Sequence, residues 1–144
     1  MTSLSVRDAR ETDADAMANL CEQLGYPTTS AAIVRRLARL DADPSARILV
    51  ATSGEDVVGL ATVHLRNTIN HETPIGQLTM LVVDEKNRTH GVGRALVGAA
   101  EAWAREHESK RFVVTTALKR TDAHAFYERL DYKHTGRRYG KDFS

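Results

Sequence analysis

The sequence lacks several features that would assign it to a specialised class of protein. Its single cysteine, Cys21, excludes an internal disulfide. It has no apolar run long enough to span a bilayer, and its N-terminus lacks the apolar centre of a signal peptide. Its 20 basic and 19 acidic residues nearly cancel, which argues against nucleic acid or an anionic membrane as the main partner. These absences favour a soluble cytoplasmic protein.

The histidines do not form a recognisable metal-binding motif. No H-x-x-x-H or H-E-x-x-H spacing occurs among the six, and the lone cysteine adds no cluster. Cys21 falls on the apolar face of a predicted helix, where a packed core thiol is expected rather than a nucleophile. We therefore expect no metal site. The histidines are His64, His71, His90, His107, His124 and His134.

The 144 residues fit a single domain over 1–144, with a core of useful size. Hydrophobic spacing predicts the order β, α, α, three strands, α, β, α and a final strand or hairpin. The predicted boundaries are a strand at Leu4–Arg7, a helix from a capping box at Thr12–Asp15 to Gly25, a helix from Ser30 to Pro44, strands at Ile48–Ala51, Val57–Leu65, Ile75–Val83 and Phe112–Thr116, a hairpin turn at Ser53–Asp56, and a last strand at Tyr132.

The most informative stretch runs from Leu81 to Leu96 and is typical of a strand, a loop and a helix. Its first three residues are aliphatic or β-branched, as at the end of a buried strand. After a polar loop, two glycines one residue apart stand where apolar residues begin to recur at helical spacing. Glycines at a helix start let a phosphate approach the unpaired N–H groups without meeting a Cβ. The stretch therefore predicts a diphosphate-binding loop, to which Arg88 and Arg94 add positive charge.

The sequence of this loop distinguishes it from two other phosphate-binding motifs. No Lys-Ser or Lys-Thr pair follows the second glycine, which excludes the mononucleotide P-loop. A dinucleotide fold would need a third glycine where Leu96 stands and a carboxylate after the next strand, and both are missing. The motif is instead R-x-x-G-x-G, from Arg88 to Gly93. With the strand before it, this resembles the acetyl-coenzyme A loop of the GNAT superfamily of N-acetyltransferases.

A second motif, Ala123–Tyr132, strengthens the resemblance. The pattern predicts a short helix with Phe126 and Leu130 on its buried side. The segment is similar to the A-x-x-F-Y-E-x-x-G-Y segment of GNAT enzymes, which lies beside the coenzyme A thiol, and this similarity makes Tyr127 the expected general acid. Asp131 occupies the usual glycine position, and aspartate tolerates a left-handed conformation well enough for the turn to survive.

Together, the two motifs and the element order resemble the GNAT fold over essentially the whole chain. The resemblance implies an α+β fold (three-layer α/β) with a mixed, mostly antiparallel central sheet flanked by helices. It implies an N-acetyltransferase that moves the acetyl group of acetyl-CoA to a primary amine by direct attack, with acetyl-CoA as a substrate. An aminoglycoside, a polyamine, an amino acid or a protein amine would each fit as acceptor, and a homodimer is an accompanying expectation.

The resemblance also implies which residues contact coenzyme A. A backbone N–H near Val83 is expected to meet the developing oxyanion, and the Tyr127 hydroxyl to protonate the leaving thiolate. The residues expected to bind the coenzyme are Leu81, Val82, Val83, Arg88, Thr89, His90, Gly91, Val92, Gly93, Arg94, Phe126 and Tyr127.

The general base is harder to assign. An amine must be neutral to attack, yet most amines are ammonium ions at neutral pH, so a proton acceptor is needed. GNAT enzymes often carry a glutamate on the strand before the loop, but here the corresponding positions are Gln77 and Thr79. His71 and Glu72, on the preceding loop, are therefore candidate catalytic residues, and Asp84 is a third candidate.

Two alternatives stay open on the sequence. The same fold serves an acyltransferase that uses a hydroxyl acceptor or a longer acyl chain. It also serves a coenzyme A-binding sensor or interaction module without turnover, which the missing strand carboxylate would suit. The retained Tyr127 favours an enzyme.

Overall fold

The structure, a computed structural model, describes residues 3–88, 90–115, 121–136 and 138–143, without the side chains of residues 121 and 122. The chain divides into two compact units, Met1–Val113 and Val114–Ser144. That residues 1–144 act as one domain stays a prediction. The described strands are β1 (Leu4–Asp8), β2 (Ala46–Ser53), β3 (Asp56–Arg66), β4 (Ile75–Val83) and β5 (Arg111–Val114), and the helices are α1 (Ala14–Leu24), α2 (Ser30–Asp41), α3 (Val92–Glu106) and α4 (Thr121–Arg129).

The strands form one sheet in the order β1-β2-β3-β4-β5. The pairs β1–β2, β2–β3 and β3–β4 are antiparallel. α3 joins the neighbouring strands β4 and β5, and a helical crossover is the connection that a parallel pair requires. The sheet is therefore mixed and mostly antiparallel, as the sequence predicted.

One face of the sheet carries α1 and α2. Met17 and Cys21 of α1 and Leu37 of α2 are buried in one cluster with Leu60 of β3 and Val82 of β4. Burial raises the pKa of the Cys21 thiol, and the positive charge of Arg36 opposes this with a smaller effect. The predicted core thiol is confirmed, because Cys21 is only 5% exposed.

The opposite face carries α3, and two glycines allow its close approach. A Cβ on Gly59 would lie 2.8 Å from Val92 Cγ1, and a Cβ on Gly76 would lie 2.8 Å from Ala104 Cβ. Both distances are well inside van der Waals contact, so a larger residue would push the helix away. Gly59 precedes Leu60 on β3, and successive residues of a strand point to opposite faces. The first unit therefore has three layers: α1 and α2, the sheet, and α3.

Local signals set most of the helix boundaries. α1 ends at Gly25, whose φ of +103° is left-handed, and α2 begins after Thr29, whose Oγ1 accepts a hydrogen bond from Ala32 N–H at 3.1 Å. These ends, and the hairpin turn between β2 and β3, confirm the sequence predictions. In the described part of the chain, no helix is both long enough and apolar enough to cross a membrane.

The predicted capping box at Thr12–Asp15 is wrong. A 3-10 turn, Glu11–Asp13, precedes α1, and the Asp13 carboxylate accepts a hydrogen bond from Arg10 N–H at 2.7 Å. The same carboxylate accepts two hydrogen bonds from the Arg7 guanidinium, at 2.8 and 2.9 Å. These bonds, led by those from Arg7, hold the pKa of Asp13 below its ordinary value. Asp13 thus ties β1 to the start of α1.

The final strand predicted at Tyr132 is wrong within the described ranges, because residues 131–136 and 138–143 are irregular there. Glycines and charged residues dominate this segment, and both are depleted in strands. β5 ends at Val114, whereas the predicted strand ran to Thr116, which lies outside the described residues.

Candidate functional site

Gly91 turns the chain from the loop into α3. Its φ is +77°, in the left-handed region, and an added Cβ would meet no atom within 4 Å. The helical ladder opens with Ala95 N–H donating to Gly91 C=O at 3.1 Å. The N–H groups of Val92, Gly93 and Arg94 therefore have no carbonyl one turn back, and the positive end of the helix dipole lies beside them. The predicted strand–loop–helix arrangement is confirmed, and its binding role stays a prediction.

Cationic and polar side chains surround this helix start. Arg88, His90 and Arg94 are exposed, and Arg88 Nε donates to the Val83 carbonyl at 3.4 Å. Thr89 lies outside the described residues. The guanidinium of Arg88 is thus turned back along the end of β4 while keeping donors for a further anionic partner.

The end of β4 pairs with β3 beneath the loop. Leu81 and Val83 are half-buried and pair with Ala61 and Gly59, whereas Val82 is buried in the core under α1 and α2. Leu81 and Val83 therefore lie on the face shared with α3. The predicted coenzyme-binding strand thus has one row of side chains in the core and one row on the side of the glycine loop.

Asp84, a candidate base on sequence grounds, holds the loop in place. One carboxylate oxygen accepts from Gln23 Nε2 at 3.1 Å, and the other accepts from Asn87 Nδ2 at 3.2 Å. Gln23 Oε1 also accepts from Glu85 N–H at 3.0 Å. A side chain of α1 therefore clamps the start of the glycine loop. Nothing local in the sequence signals the role of Gln23, because the contact spans 61 residues.

His71 and Glu72 lie together on the exposed loop between β3 and β4. His71 Nδ1 contacts Thr68 Oγ1 at 2.9 Å and Asn70 Oδ1 at 3.2 Å, both within the same loop. These contacts are those of a surface loop that orders itself. The catalytic role of either residue stays untested.

β4 contains a bulge at Thr79, which the sequence pattern did not reveal. Thr62 pairs with Met80 and Val63 pairs with Leu78, so Thr79 is an extra residue opposite β3. Its hydroxyl contacts His64 Nδ1 at 3.1 Å. The sequence could have indicated part of this arrangement. Apolar and polar residues alternate along β3, and this alternation puts His64 on the same face as Thr62.

In the second unit, α4 buries Tyr127 rather than Phe126. Tyr127 is 8% exposed, whereas Phe126 and Leu130 are half-buried, so the predicted buried face is rotated by one residue. The Tyr127 ring packs edge to face against Phe126 at 5.2 Å and against Tyr132 at 5.9 Å between centroids. Aromatic neighbours on two sides fix the ring and limit its rotation.

The turn that ends α4 has the geometry predicted for it. Asp131 has a φ of +69°, and its N–H donates to Glu128 C=O at 3.1 Å. Tyr132 N–H donates to Tyr127 C=O, also at 3.1 Å. These two bonds form a Schellman motif, with aspartate in the position that glycine usually occupies.

Comparison with known proteins identifies the family. A family model described as the acetyltransferase (GNAT) family matches residues 12–132. An aminoalkylphosphonate N-acetyltransferase of Salmonella typhimurium is 31% identical over 142 residues, which cover 98% of this chain and 92% of that protein. An aminoglycoside N(6')-acetyltransferase of Stenotrophomonas maltophilia is 28% identical, over 92% of this chain and 88% of that protein.

A solved structure shows the same fold. An aminoglycoside N-acetyltransferase in complex with CoA has a TM-score of 0.87 at 17% identity, over 99% of this chain and 96% of that one. The predicted GNAT fold is therefore confirmed. With a family match over most of its length, the chain belongs to the GNAT family of acetyltransferases.

Proposed function

We propose that this protein acetylates the primary amine of a small acceptor that also carries an anionic group, such as an aminoalkylphosphonate. As a GNAT acetyltransferase, it takes the acetyl group from acetyl-CoA and transfers it to an amine. The observation that carries the choice of acceptor is the similarity to an aminoalkylphosphonate N-acetyltransferase, at 31% identity over 98% of this chain.

The charge of α2 supports an anionic acceptor. Arg35, Arg36 and Arg39 are exposed on this helix, and Arg36 Nη1 donates to Thr28 Oγ1 at 3.1 Å. Guanidinium groups bind phosphate-like oxygens through paired, charge-assisted hydrogen bonds. In GNAT enzymes the first two helices flank the acceptor cleft. Three cations there would attract a phosphonate and repel an aminoglycoside, which is polycationic.

The donor binds at the start of α3 in this proposal. The N–H groups of Val92, Gly93 and Arg94 hold the diphosphate of coenzyme A, and the left-handed turn at Gly91 keeps side-chain atoms out of the way. Arg88 adds charge from the loop. Leu81, Val82 and Val83 supply the backbone edge along which the pantetheine lies, and Thr89, His90 and Phe126 complete the expected contacts.

The chemical step is the one that the resemblance to GNAT enzymes implies. The amine nitrogen attacks the acetyl carbonyl carbon, a C–N bond forms, and the C–S bond breaks as the carbonyl re-forms. The departing thiolate takes a proton from the Tyr127 hydroxyl, the nitrogen gives its surplus proton to solvent as the amide forms, and solvent reprotonates Tyr127. Because the Tyr127 ring is buried between aromatic neighbours, its hydroxyl is held in one direction.

An aminoglycoside is the second candidate acceptor. It is favoured by the aminoglycoside N(6')-acetyltransferase that is 28% identical over 92% of this chain. The two candidates differ in the sign of the charge that accompanies the amine, so they predict opposite responses to loss of the α2 arginines.

The test is thiol release from acetyl-CoA with four acceptors. They are 2-aminoethylphosphonate, propylamine as the match without the anionic group, an aminoglycoside, and 2-hydroxyethylphosphonate as the hydroxyl match. We expect kcat/KM for 2-aminoethylphosphonate to exceed that for propylamine at least about tenfold, or about 1.4 kcal/mol. Arg36→Gln should lower this ratio, whereas Arg105→Gln, near the distant end of α3, should not. A faster reaction with the aminoglycoside would overturn the anionic acceptor, and coenzyme A binding without thiol release from any acceptor would favour the sensor.

A further inference from the structure

Three polar side chains meet on the sheet face that carries α1 and α2. His64 Nδ1 of β3 lies 3.1 Å from Thr79 Oγ1 of β4. Thr79 Oγ1 also lies 2.5 Å from Thr62 Oγ1 and 3.2 Å from the Thr62 carbonyl oxygen. Leu60, two residues before Thr62, belongs to the core under those helices, which identifies the face. The Thr79 hydroxyl is therefore the centre of a network that holds one edge of the imidazole.

The bulge in β4 makes this meeting possible. In a bulge, two successive residues oppose one residue of the partner strand, and the extra side chain is re-aimed. Here Thr79 and Met80 both stand opposite Thr62. Met80 packs against the apolar core, and Thr79 is left to reach along the face to His64.

Counting protons assigns the tautomer of His64. The Thr79 hydroxyl has one proton and two lone pairs, and it has three partners. The Thr62 carbonyl oxygen can only accept, so the proton of Thr79 goes to it. The Thr62 hydroxyl and His64 Nδ1 must then both donate to Thr79. We therefore assign the proton of neutral His64 to Nδ1, which leaves the lone pair of Nε2 free to accept a proton.

We propose that His64 is the general base of this acetyltransferase, an inference that rests on the proposed function. Nε2 takes a proton from the ammonium group of the acceptor, and the neutral amine then attacks the acetyl carbonyl. The imidazolium keeps its Nδ1–H bond to Thr79 and returns the extra proton to solvent. Attack leaves a second surplus proton on the nitrogen, and this proton passes to solvent as the amide forms. In the proposed function Tyr127 protonates the thiolate and then regains its proton from solvent, so one proton is released overall.

The position of His64 matches the missing strand carboxylate. GNAT enzymes often carry a glutamate on the strand before the glycine loop, where the corresponding positions of this chain are Gln77 and Thr79. Gln77 pairs directly with His64 across β3 and β4. Directly opposed residues lie side by side on one face. His64 therefore lies beside both positions, opposite Gln77 and in contact with Thr79.

The surroundings of His64 suit a base that becomes charged. Its cross-strand neighbours, Ala46 on β2 and Gln77 on β4, are uncharged. Asp43, on the connection between α2 and β2, is an acidic group that interacts with His64. Hydrogen bonds from the Ser45 hydroxyl and N–H hold the pKa of Asp43 below its ordinary value, and the charge of His64 adds to this. An acidic group therefore lies within electrostatic range of His64.

The test compares wild type with His64→Gln in single-turnover acetyl transfer to the acceptor that wild type uses fastest. We expect a loss of about a hundredfold at pH 7, with the Kd for coenzyme A unchanged within about twofold. The deficit should shrink as pH approaches about 10, where primary amines become neutral in solution. A deficit that is the same at every pH would indicate a structural role and overturn the proposal.

Two further comparisons separate the base from general damage. His107→Gln makes the same change at the opposite end of α3 from the glycine loop, where Nδ1 contacts the Trp103 carbonyl at 2.9 Å, and it should leave transfer unchanged. Thr79→Val removes the acceptor for Nδ1–H and should lower transfer about tenfold with the same recovery at high pH. Thr79→Ser should restore it.

The outcomes distinguish this inference from the proposed function. If wild type transfers acetyl to no amine, the proposed function fails. If wild type is active and His64→Gln matches it at every pH, only the assignment of His64 fails. If His64→Gln does not fold, the Thr79→Val and Thr79→Ser variants test the assignment instead. If both of them transfer acetyl at the wild-type rate, the proposal is overturned.

Discussion

Val92, the first residue of α3, rests directly on Gly59 of β3. A Cβ on Gly59 would lie 2.8 Å from Val92 Cγ1 and 2.8 Å from Leu96 Cδ1. We expect Gly59→Ala to lower the free energy of unfolding by about 1–3 kcal/mol, the usual cost of overpacking. Since the displaced turn carries the N–H groups that face the loop, the Kd for coenzyme A should rise as well. Urea unfolding and calorimetry measure the two effects.

Gly98 is the matched control for this substitution. It lies on the exposed side of the same helix, and an added Cβ would meet no atom within 4 Å. Gly98→Ala should therefore raise the free energy of unfolding by about 0.5–1 kcal/mol, because alanine is the better helix former. A Gly59→Ala protein as stable as wild type would show that α3 can shift without cost.

Arg88 is expected to bind coenzyme A through its charge. Arg88→Gln should raise the Kd severalfold at low salt, and the penalty should shrink at about 1 M salt, where the Debye length is about 3 Å. Arg105→Gln is the control, because Arg105 is 76% exposed and only 4.0 Å from its partner Glu101 on the same helix. If the increase in Kd does not depend on salt, Arg88 acts by holding the shape of the loop through its hydrogen bond to the Val83 carbonyl, and not through its charge.

Tyr127 is expected to act on the chemical step. Tyr127→Phe keeps the edge-to-face contacts with Phe126 and Tyr132, so folding and the Kd for coenzyme A should change little. Single-turnover transfer should fall about ten- to a thousandfold, because the thiolate loses its proton donor. Equal rates in the two proteins would make Tyr127 a core tyrosine only.

Asp13 is expected to make stability depend on pH in the acid range. Its pKa is lowered in the folded protein, so the ionised carboxylate stabilises the fold above about pH 4, and this stability is lost as the pH falls through the lowered pKa. At pH 7, Asp13→Asn should lower the free energy of unfolding by about 1–3 kcal/mol, the range for hydrogen bonds to a charged group. The difference from wild type should narrow below about pH 4.

Asp8→Asn is the control for this substitution, because it removes an exposed carboxylate at the end of β1. Asp8 is 65% exposed and pairs with Arg47 at 2.6 Å, and exposed pairs of this kind contribute about 0–1 kcal/mol. Urea unfolding from pH 7 to pH 3 compares the variants. A loss in Asp8→Asn equal to that in Asp13→Asn would contradict the special role of the buried carboxylate.

Local patterns predicted the parts of the fold that local chemistry decides. Gly25 ends α1, Gly91 opens α3 and Asp131 turns the chain after α4, each with the positive φ that its residue type allows. The contacts between distant segments could not be predicted in this way. Gln23 reaches Asp84 across 61 residues, and no periodicity records such a contact.

The proposed general base, His64, could not be predicted from local patterns either. His71 and Glu72 are acid–base residues on a loop, which the sequence alone makes candidates, whereas His64 lies within a strand, where a polar residue need only mark the solvent side. Its relation to Gln77 depends on the register of two strands, and register is set by the whole sheet. The prediction of the buried side of α4 was wrong for a related reason. The packing of Tyr127 against Tyr132 depends on the turn after the helix, which helical spacing does not describe.

The bulge in β4 makes Thr79 a one-residue insertion into an otherwise regular strand. Leu78 faces α3 and Met80 faces the opposite core, so these two residues already alternate as direct neighbours would. Deleting Thr79 should therefore leave both cores in register, whereas a deletion elsewhere in β4 would turn the residues on one side of it to the wrong face. We expect the shortened protein to fold, to bind coenzyme A, and to lose the hydroxyl that orients His64. A protein that unfolds on this deletion would show that the strand needs the extra residue for its shape.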